Sequence, residues 1–422
     1  MNSTIKIALT FLAASASAYG FAQTTNVDSL AKEVAALKKQ SGVLANLKIS
    51  GFIQAQYQYA DTVGAKTFNG GNFGKETDNR FSVRRARLKV AYERSFGSAV
   101  IQINVGEKGV DVKNAYINLI APFAKPLSLT GGIFDRPFGY AISYSSTAME
   151  VVERPIVFET LFPSQQDVGA MLSFDAPSSS VFSGLKVSAG FFNGNAINQD
   201  VDKYKDFIGH LSFDGFGLGD NVHLNLGAST YIGNVYNPAA TVYEMRNGAF
   251  APTTEKVGAK LRRRYVGFDG QLSIKTAIGK TQLVSEYIWG KQPGTEKSSA
   301  SPSYSTLPTG DAYLRDFAGG YATLIQNIYQ FAVFGRYEWY DPNTKVSGNE
   351  VGKAADMPGG KATNATDLTQ QVVSLGAFYE PVKNIRFTAQ YDFNSFDGTD
   401  NGKFSVAGLK NNLLTLRVQY KF

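Results

Sequence analysis

Leu47-Lys48-Ile49-Ser50-Gly51-Phe52-Ile53-Gln54-Ala55-Gln56-Tyr57-Gln58-Tyr59 alternates in polarity residue by residue. Leu47, Ile49, Gly51, Ile53, Ala55, Tyr57 and Tyr59 share one face; Lys48, Ser50, Gln54, Gln56 and Gln58 share the other, with Phe52 the exception. A period of two marks an extended strand, because successive side chains leave a pleated backbone on opposite sides. Similar stretches recur at 81–93, 97–106, 112–120, 127–134, 167–174, 185–193, 207–213, 222–231, 263–274, 281–289, 321–325, 330–339, 372–379, 386–393 and 413–422. The pattern predicts about 16 strands and an all-β fold.

The connections between these strands sort by parity. Short links at 94–96, 121–126, 215–221 and 381–385 alternate with long ones at 60–80, 135–166, 232–262, 290–320, 340–371 and 394–412. Short turns on one rim and long loops on the other are the asymmetry of barrels that cross an outer membrane, with the short rim in the periplasm. The chain stops on Leu414-Thr415-Leu416-Arg417-Val418-Gln419-Tyr420-Lys421-Phe422, an alternating strand ending in an aromatic residue. Tyr57, Tyr59, Tyr92, Tyr287, Trp289, Tyr337, Trp339, Tyr391, Phe393, Tyr420 and Phe422 cluster near strand ends on the apolar face, where interfacial girdles sit. The expected fold is a transmembrane antiparallel β-barrel of about 16 strands over residues 46–422, with a long third loop at 135–166 able to fold inward.

The first residues fit export to that membrane. Lys6 precedes the apolar stretch 7–18, and Gly20-Phe21-Ala22 supplies small residues, so residues 1–22 read as a signal peptide. In residues 23–45, Val27, Leu30, Val34, Leu37 and Leu44 recur at alternating spacings of three and four, with Ser41 in the weak slot. This predicts a short periplasmic helix able to form a coiled coil; a linker with accidental periodicity is the alternative. The 422 residues contain no cysteine, and a mean hydropathy of -0.16 excludes a bundle of membrane-spanning helices. Stability must come from backbone pairing and packing instead of disulfides.

Net charge is +7 over the whole chain, so local clustering matters more than the total. In 81–92, Arg85, Arg87 and Lys89 face opposite Ala86, Leu88, Val90 and Tyr92, a ladder about 13 Å long at strand spacing. Such cations belong in the lumen, since an outward one costs ~2 to 4 kcal/mol at mid-depth. There they attract anions, or they pair with acids to brace an inward loop. The other expected inward cations are Lys186, Arg336, Arg386 and Arg417, against Asp167, Asp269, Glu93, Glu286, Glu338 and Asp392. The third loop adds Arg136, Glu150, Glu153, Arg154 and Glu159. Arg262-Arg263-Arg264, preceded by Lys256 and Lys260, is expected at the outer mouth, facing either lipopolysaccharide or incoming anions.

Phe81-Ser82-Val83-Arg84-Arg85-Ala86-Arg87-Leu88, then Asn114-Ala115-Tyr116-Ile117-Asn118-Leu119, then Gly132-Ile133-Phe134-Asp135-Arg136-Pro137-Phe138-Gly139 resemble the phosphate-selective porin family, the O and P type outer-membrane porins. Glu153-Arg154-Pro155, Leu161-Phe162-Pro163 and Asp167-Val168-Gly169 extend the match through the third loop. The resemblance implies a homotrimer of 16-stranded barrels, an inward third loop and an arginine path for anions, phosphate among them, with Arg85 and Arg87 supplying inward side chains. No lysine occurs between Pro126 and Val181, so the family's central lysine ring has no counterpart in that loop.

The anion path is therefore expected at Arg85, Arg87, Lys89, Arg136 and Arg154, with no cofactor, metal or nucleic-acid partner. A weakly selective diffusion porin and a structural or adhesin barrel are the alternatives. A barrel hydrolase would have only His210 and His223 to use, and neither suits lipid chemistry at an interface. Asp200, Asp202 and Asp206 read as a solvated acidic loop in preference to a Ca²⁺ site.

Overall fold

A computed structural model describes residues 44–66, 71–107, 109–217, 219–397 and 411–422. The expected signal peptide and nearly all of the 23–45 helical segment lie outside the described residues. The strands, in chain order, are β1 (Leu47–Ala60), β2 (Asn79–Arg94), β3 (Gly97–Gly106), β4 (Gly109–Ile120), β5 (Leu127–Asp135), β6 (Gln166–Asp175), β7 (Leu185–Phe192), β8 (Asp206–Gly217), β9 (Val222–Tyr236), β10 (Thr241–Arg246), β11 (Ala249–Thr254), β12 (Lys260–Thr276), β13 (Gly279–Gly294), β14 (Ala312–Ile328), β15 (Phe331–Asp341), β16 (Gln370–Val382), β17 (Ile385–Phe396) and β18 (Leu413–Lys421).

Among the described residues, all but β10 and β11 form one closed antiparallel wall of 16 strands. β9 skips the hairpin to pair with β12 from Val222↔Ile274 to Tyr236↔Lys260. β18 returns to β1 from Phe52↔Lys421 to Ala60↔Leu413 and closes the ring. Closure leaves the wall without an edge, which hydrocarbon demands because unpaired backbone groups there cost several kcal/mol each. Along β15 the alternation is plain: Phe331, Val333 and Tyr337 are exposed, and Ala332, Phe334, Arg336 and Glu338 are buried. Exposed leucines, valines and aromatics on every side therefore form the belt that faces lipid.

Two features depart from the expected strand pattern. First, the stretch read as one long 232–262 loop contains the β10–β11 hairpin, joined by the two-residue turn Asn247-Gly248 with φ of 50° and 78°. Asn-Gly is the residue pair that this left-handed turn favours. Second, the alternation slips in two neighbouring strands. On β2 the exposed apolar residues are Phe81 and Val83, then Leu88, so the outward phase changes across Arg84-Arg85. On β4 the register shifts, with Gln102 paired to Asn114 and Ile103 to Val112, which leaves Lys113 as the extra residue. Each slip is a β-bulge in effect, and each turns an additional cation inward.

The interior is divided. Residues 136–165, connecting β5 to β6 and including helix α1 (Ile156–Leu161), are largely buried. Phe138, Ile142, Ile156, Phe158, Leu161 and Phe162 pack with Ile208, Tyr231, Tyr265, Ile288, Phe317 and Tyr321 from the inner face of β8 to β14. The apolar half of the lumen is thus filled by the loop, and open space is left against the polar wall of β1 to β6.

This inside-outside assignment predicts that Leu324→Arg, which replaces an exposed residue of the apolar belt on β14, destabilises the folded barrel by ~2 to 4 kcal/mol. Urea unfolding in detergent micelles or vesicles measures it; an unchanged midpoint contradicts the assignment of this face to lipid.

Candidate constriction site

The anchor of the inward loop is the carboxylate of Glu153, only 1% exposed. Arg84 donates to it through Nε and Nη2 at 2.8 Å each, Arg85 through Nη2 at 2.6 Å, and Arg417 through Nη2 at 2.7 Å. Adjacent residues Arg84 and Arg85 can both reach it because of the slip in β2. Burial pushes the Glu153 carboxyl up, but Arg84, Arg85 and Arg417 outweigh that and hold it well below its ordinary value of 4.5. Glu153 therefore stays ionised and three guanidiniums stay compensated.

Further contacts fix the loop backbone. Glu286 on β13 accepts the N–H groups of Tyr140 and Ala141 at 2.8 and 2.7 Å, and Glu338 on β15 accepts that of Ile156 at 2.9 Å. Arg336 donates to the Glu153 carbonyl at 2.7 Å, and Arg386 to the Met149 carbonyl at 2.6 Å. Gly139 adopts φ of 61° beside the Glu286 carboxylate, where a side chain would meet that carboxylate. Without these partners the buried amides of the loop would each go unsatisfied, at a cost of ~1 to 3 kcal/mol.

Two openings flank the loop on its polar side. One, of about 590 Å³, includes Lys89, Ser98, Asn118 and Thr130, toward the rim of short turns. The other, of about 170 Å³, includes Arg84, Asn104 and Asp111, toward the rim of long loops. Arg87, Lys113, Gln165 and Gln166 line both, so they mark the neck between them. At that neck, Arg87 Nη1 donates to the Ser146 hydroxyl at 3.2 Å, and Arg154 Nη1 donates to the same oxygen at 3.4 Å. Lys113 Nζ donates to the Ser164 carbonyl and to Gln165 Oε1, both at 2.9 Å. None of these three cations has a carboxylate partner among the described residues, whereas Arg84, Arg85 and Arg417 share one.

The five cations expected on an anion path therefore occupy different settings. Arg85 is a brace buried on Glu153. Arg136 is 1% exposed and holds the end of its own loop, donating to the carbonyls of Pro163 and Gln165 at 2.8 and 3.2 Å. Arg154 ties the Ala141 and Tyr144 carbonyls and still lines the larger opening, as do Arg87 and Lys89. Arg84, Lys113 and Ser146 are the residues that strict alternation misses. The signal for Arg84 and Lys113 is in the sequence: Val83 to Ala86 and Val112 to Ala115 are spacings of three in otherwise period-two runs, each enclosing two polar residues; Ser146 has no such signal.

The remaining candidates are separate. His210 Nε2 lies 3.0 Å from Asp269, and His223 Nε2 lies 3.0 Å from Asp214. Asp200 pairs with Lys205 at 2.5 Å, while Asp206 is buried and accepts from the Tyr231 hydroxyl and the Asn234 N–H. Among the described residues no group of three His, Cys, Asp or Glu could hold a metal.

No family model matches the sequence, and neither does any curated protein. Solved structures do match in fold. OprB of Pseudomonas putida is similar over 91% of this chain and 96% of its own, with 11% identity and a TM-score of 0.57. OmpF of Salmonella typhi covers 89% of this chain and 97% of its own, at 12% identity and a TM-score of 0.52. The trimer form of OmpT, an outer membrane protein of Vibrio cholerae, covers 89% and 99%, at 10% identity and a TM-score of 0.51. The fold is the closed antiparallel β-barrel that these outer-membrane proteins share. This particular barrel has an off-centre lumen, filled by its third loop on one side.

Removing the shared carboxylate in Glu153→Gln leaves the buried Arg85 and Arg417 and the half-buried Arg84 uncompensated, a change that costs ~3 to 5 kcal/mol. The variant is expected to unfold at lower urea and to show larger fluctuations in single-channel current. Because the folded carboxyl lies below its ordinary 4.5, the wild-type contribution is complete above that pH and is lost only as pH falls further. Equal stability of wild type and variant at pH 7 contradicts the anchor.

Proposed function

We propose that the chain is a passive diffusion channel for small anions, phosphate among them. The observation that carries this reading is the convergence of Arg87 and Arg154 on the neutral Ser146 hydroxyl, with Lys113 beside them at the neck. The hydroxyl, amide and carbonyl oxygens that hold these cations orient them without cancelling their charge. Their field lowers the free energy of an anion at the narrowest point and raises its local concentration. Lys89 extends the positive path toward the periplasmic rim; Arg85 and Arg136 act through the loop that they hold. The reading involves no covalent chemistry, cofactor or nucleic acid.

A weakly selective channel is the second reading, favoured by Asp111, Asp135 and Glu159, which line the same openings as the cations. Assembly as a homotrimer joins the proposal, supported by the trimer form of the similar Vibrio cholerae barrel. Residues 1–22 as signal peptide and 23–45 as a periplasmic helix complete it.

Reversal potential in a planar bilayer under a KCl gradient tests the selectivity. Wild type is expected to reverse on the chloride side. Loss of one neck charge removes about 1 kcal/mol of attraction, roughly fivefold in local anion concentration. Arg87→Gln and Lys113→Gln should each move the reversal toward zero, while Lys353→Gln, on an outer loop, should not. A near-zero wild-type reversal leaves the weakly selective channel, a cation-side one overturns anion preference, and no conductance overturns the channel.

A further inference from the structure

Arg262-Arg263-Arg264 begins the outer end of β12, and the wall alternation splits it. Leu261, Arg263 and Tyr265 are buried inward, and Lys260, Arg262 and Arg264 lie on the opposite face. Arg263 is consumed internally, donating to the Gly194 carbonyl and the Tyr231 hydroxyl, both at 3.1 Å. Lys291 on β13 stands directly opposite Arg264 in the ladder and so shares its outward face. The next same-face pair inward is Val266↔Trp289, both exposed. Below them Phe268 and Tyr287 stack near Trp289, with ring centroids at 5.8 and 5.3 Å.

The outer wall thus presents four cations immediately above an aromatic girdle, the depth at which lipid headgroups begin. Three of them run along β12 over about 13 Å, and the fourth lies one strand away, about 5 Å across the ladder. None has a carboxylate within ion-pair distance among the described residues. Lys260 lies over the Tyr204 ring, and one guanidinium nitrogen of Arg264 donates to the Gly233 and Arg263 carbonyls. The patch is local. The residues paired to Lys260, Arg262 and Arg264 on β9 are Tyr236, Asn234 and Ile232, the residue paired to Lys291 on β14 is Asp316, and Asp341 of β15 lies one step inward, level with Trp289 through Ala318.

We propose that Lys260, Arg262, Arg264 and Lys291 form a docking site for the phosphorylated headgroup of an outer-leaflet glycolipid, whose acyl chains lie along the Phe268, Tyr287 and Trp289 face. The ligand must carry both an anion and a hydrocarbon chain, because the cations and the aromatic surface are contiguous. A solute bound for the lumen has no use for a site on the outside of the wall. The acidic residues on the neighbouring strands repel phosphate and confine the headgroup to β12 and β13.

Native mass spectrometry of the full-length protein in detergent, with bis-phosphorylated lipid A or its dephosphorylated form as probe, tests this. Wild type should retain the bis-phosphorylated lipid at least about tenfold better than the dephosphorylated one, given the attraction each Lys or Arg exerts near an anionic surface. The R262Q/R264Q/K291Q variant should lose that preference while keeping wild-type conductance and heat-dependent gel mobility, which shows that it folds. K353Q, at an exposed loop position where the lysine pairs with Glu350, should retain it. Equal retention of both lipids, or undiminished retention by the triple variant, overturns the site. Displacement of the lipid by millimolar inorganic phosphate overturns the lipid assignment in favour of a free-phosphate site.

Discussion

Three arginines and one glutamate set the interior of this barrel. Arg84 and Arg85 come from β2 and Arg417 from β18, the strands on either side of β1. Arg417 also donates through Nε and Nη2 to Gln56 of β1, at 3.0 and 2.6 Å. Glu153 thus sits over the seam where the first and last strands of the wall meet. The same carboxylate that pins the loop also neutralises like charges that would otherwise repel one another across that seam. Closure of the wall and position of the loop are therefore coupled through one side chain.

From that anchor the division of the lumen follows. The loop reaches Glu153 from a run of aromatic and aliphatic residues that must be buried, and the inner face of β8 to β14 offers Ile208, Tyr231, Tyr265, Ile288 and Phe317 to receive them. The opposite inner wall offers Arg87, Lys89, Gln102 and Asn118, which cannot form such a core and remain beside open space. Wall carboxylates Glu286 and Glu338 then serve the loop's amides instead of the pore. An inventory of inward acids and cations thus misstates the field, because several of them are already spent on the loop.

The wall was legible because its constraint is simple: an outward side must be apolar and every backbone group must pair. Alternation along 47–59 and 330–339 and the parity of the connections carried that information. The hairpin at Asn247-Gly248 was legible in its turn residues, but its flanks, Thr241–Arg246 and Ala249–Thr254, alternate weakly because both faces are covered, Val242 by Val235, Leu261 and Leu314 and Tyr243 by Phe250 and Tyr313. Inward apolar residues such as Ile288, Phe317 and Ile325 blur the period-two signal on β13 and β14, since the loop makes both faces of those strands apolar. The neck was half legible. Arg87, Lys89 and Arg154 follow from phase or motif, whereas Arg84 and Lys113 enter the lumen only through slips in phase, and Ser146 matters only through what folding brings to it.

The distinction that governs function is compensation, not sign. Arg84, Arg85 and Arg417 are as positive as Arg87, Lys113 and Arg154, yet one acid absorbs the field of the first three, while the second three meet only hydroxyl, amide and carbonyl oxygens. A neutral oxygen orients a cation without cancelling its charge. Lys260, Arg262, Arg264 and Lys291 repeat the uncompensated arrangement on the outside, where the solvating partner is set by the girdle beneath them. The β-pleat produces both outcomes from one kind of sequence: neighbouring basic residues on a strand are sent to opposite faces unless a bulge intervenes. In Arg262-Arg263-Arg264 no slip occurs and the charges divide between wall and lumen; in Arg84-Arg85 a slip occurs and both converge on Glu153.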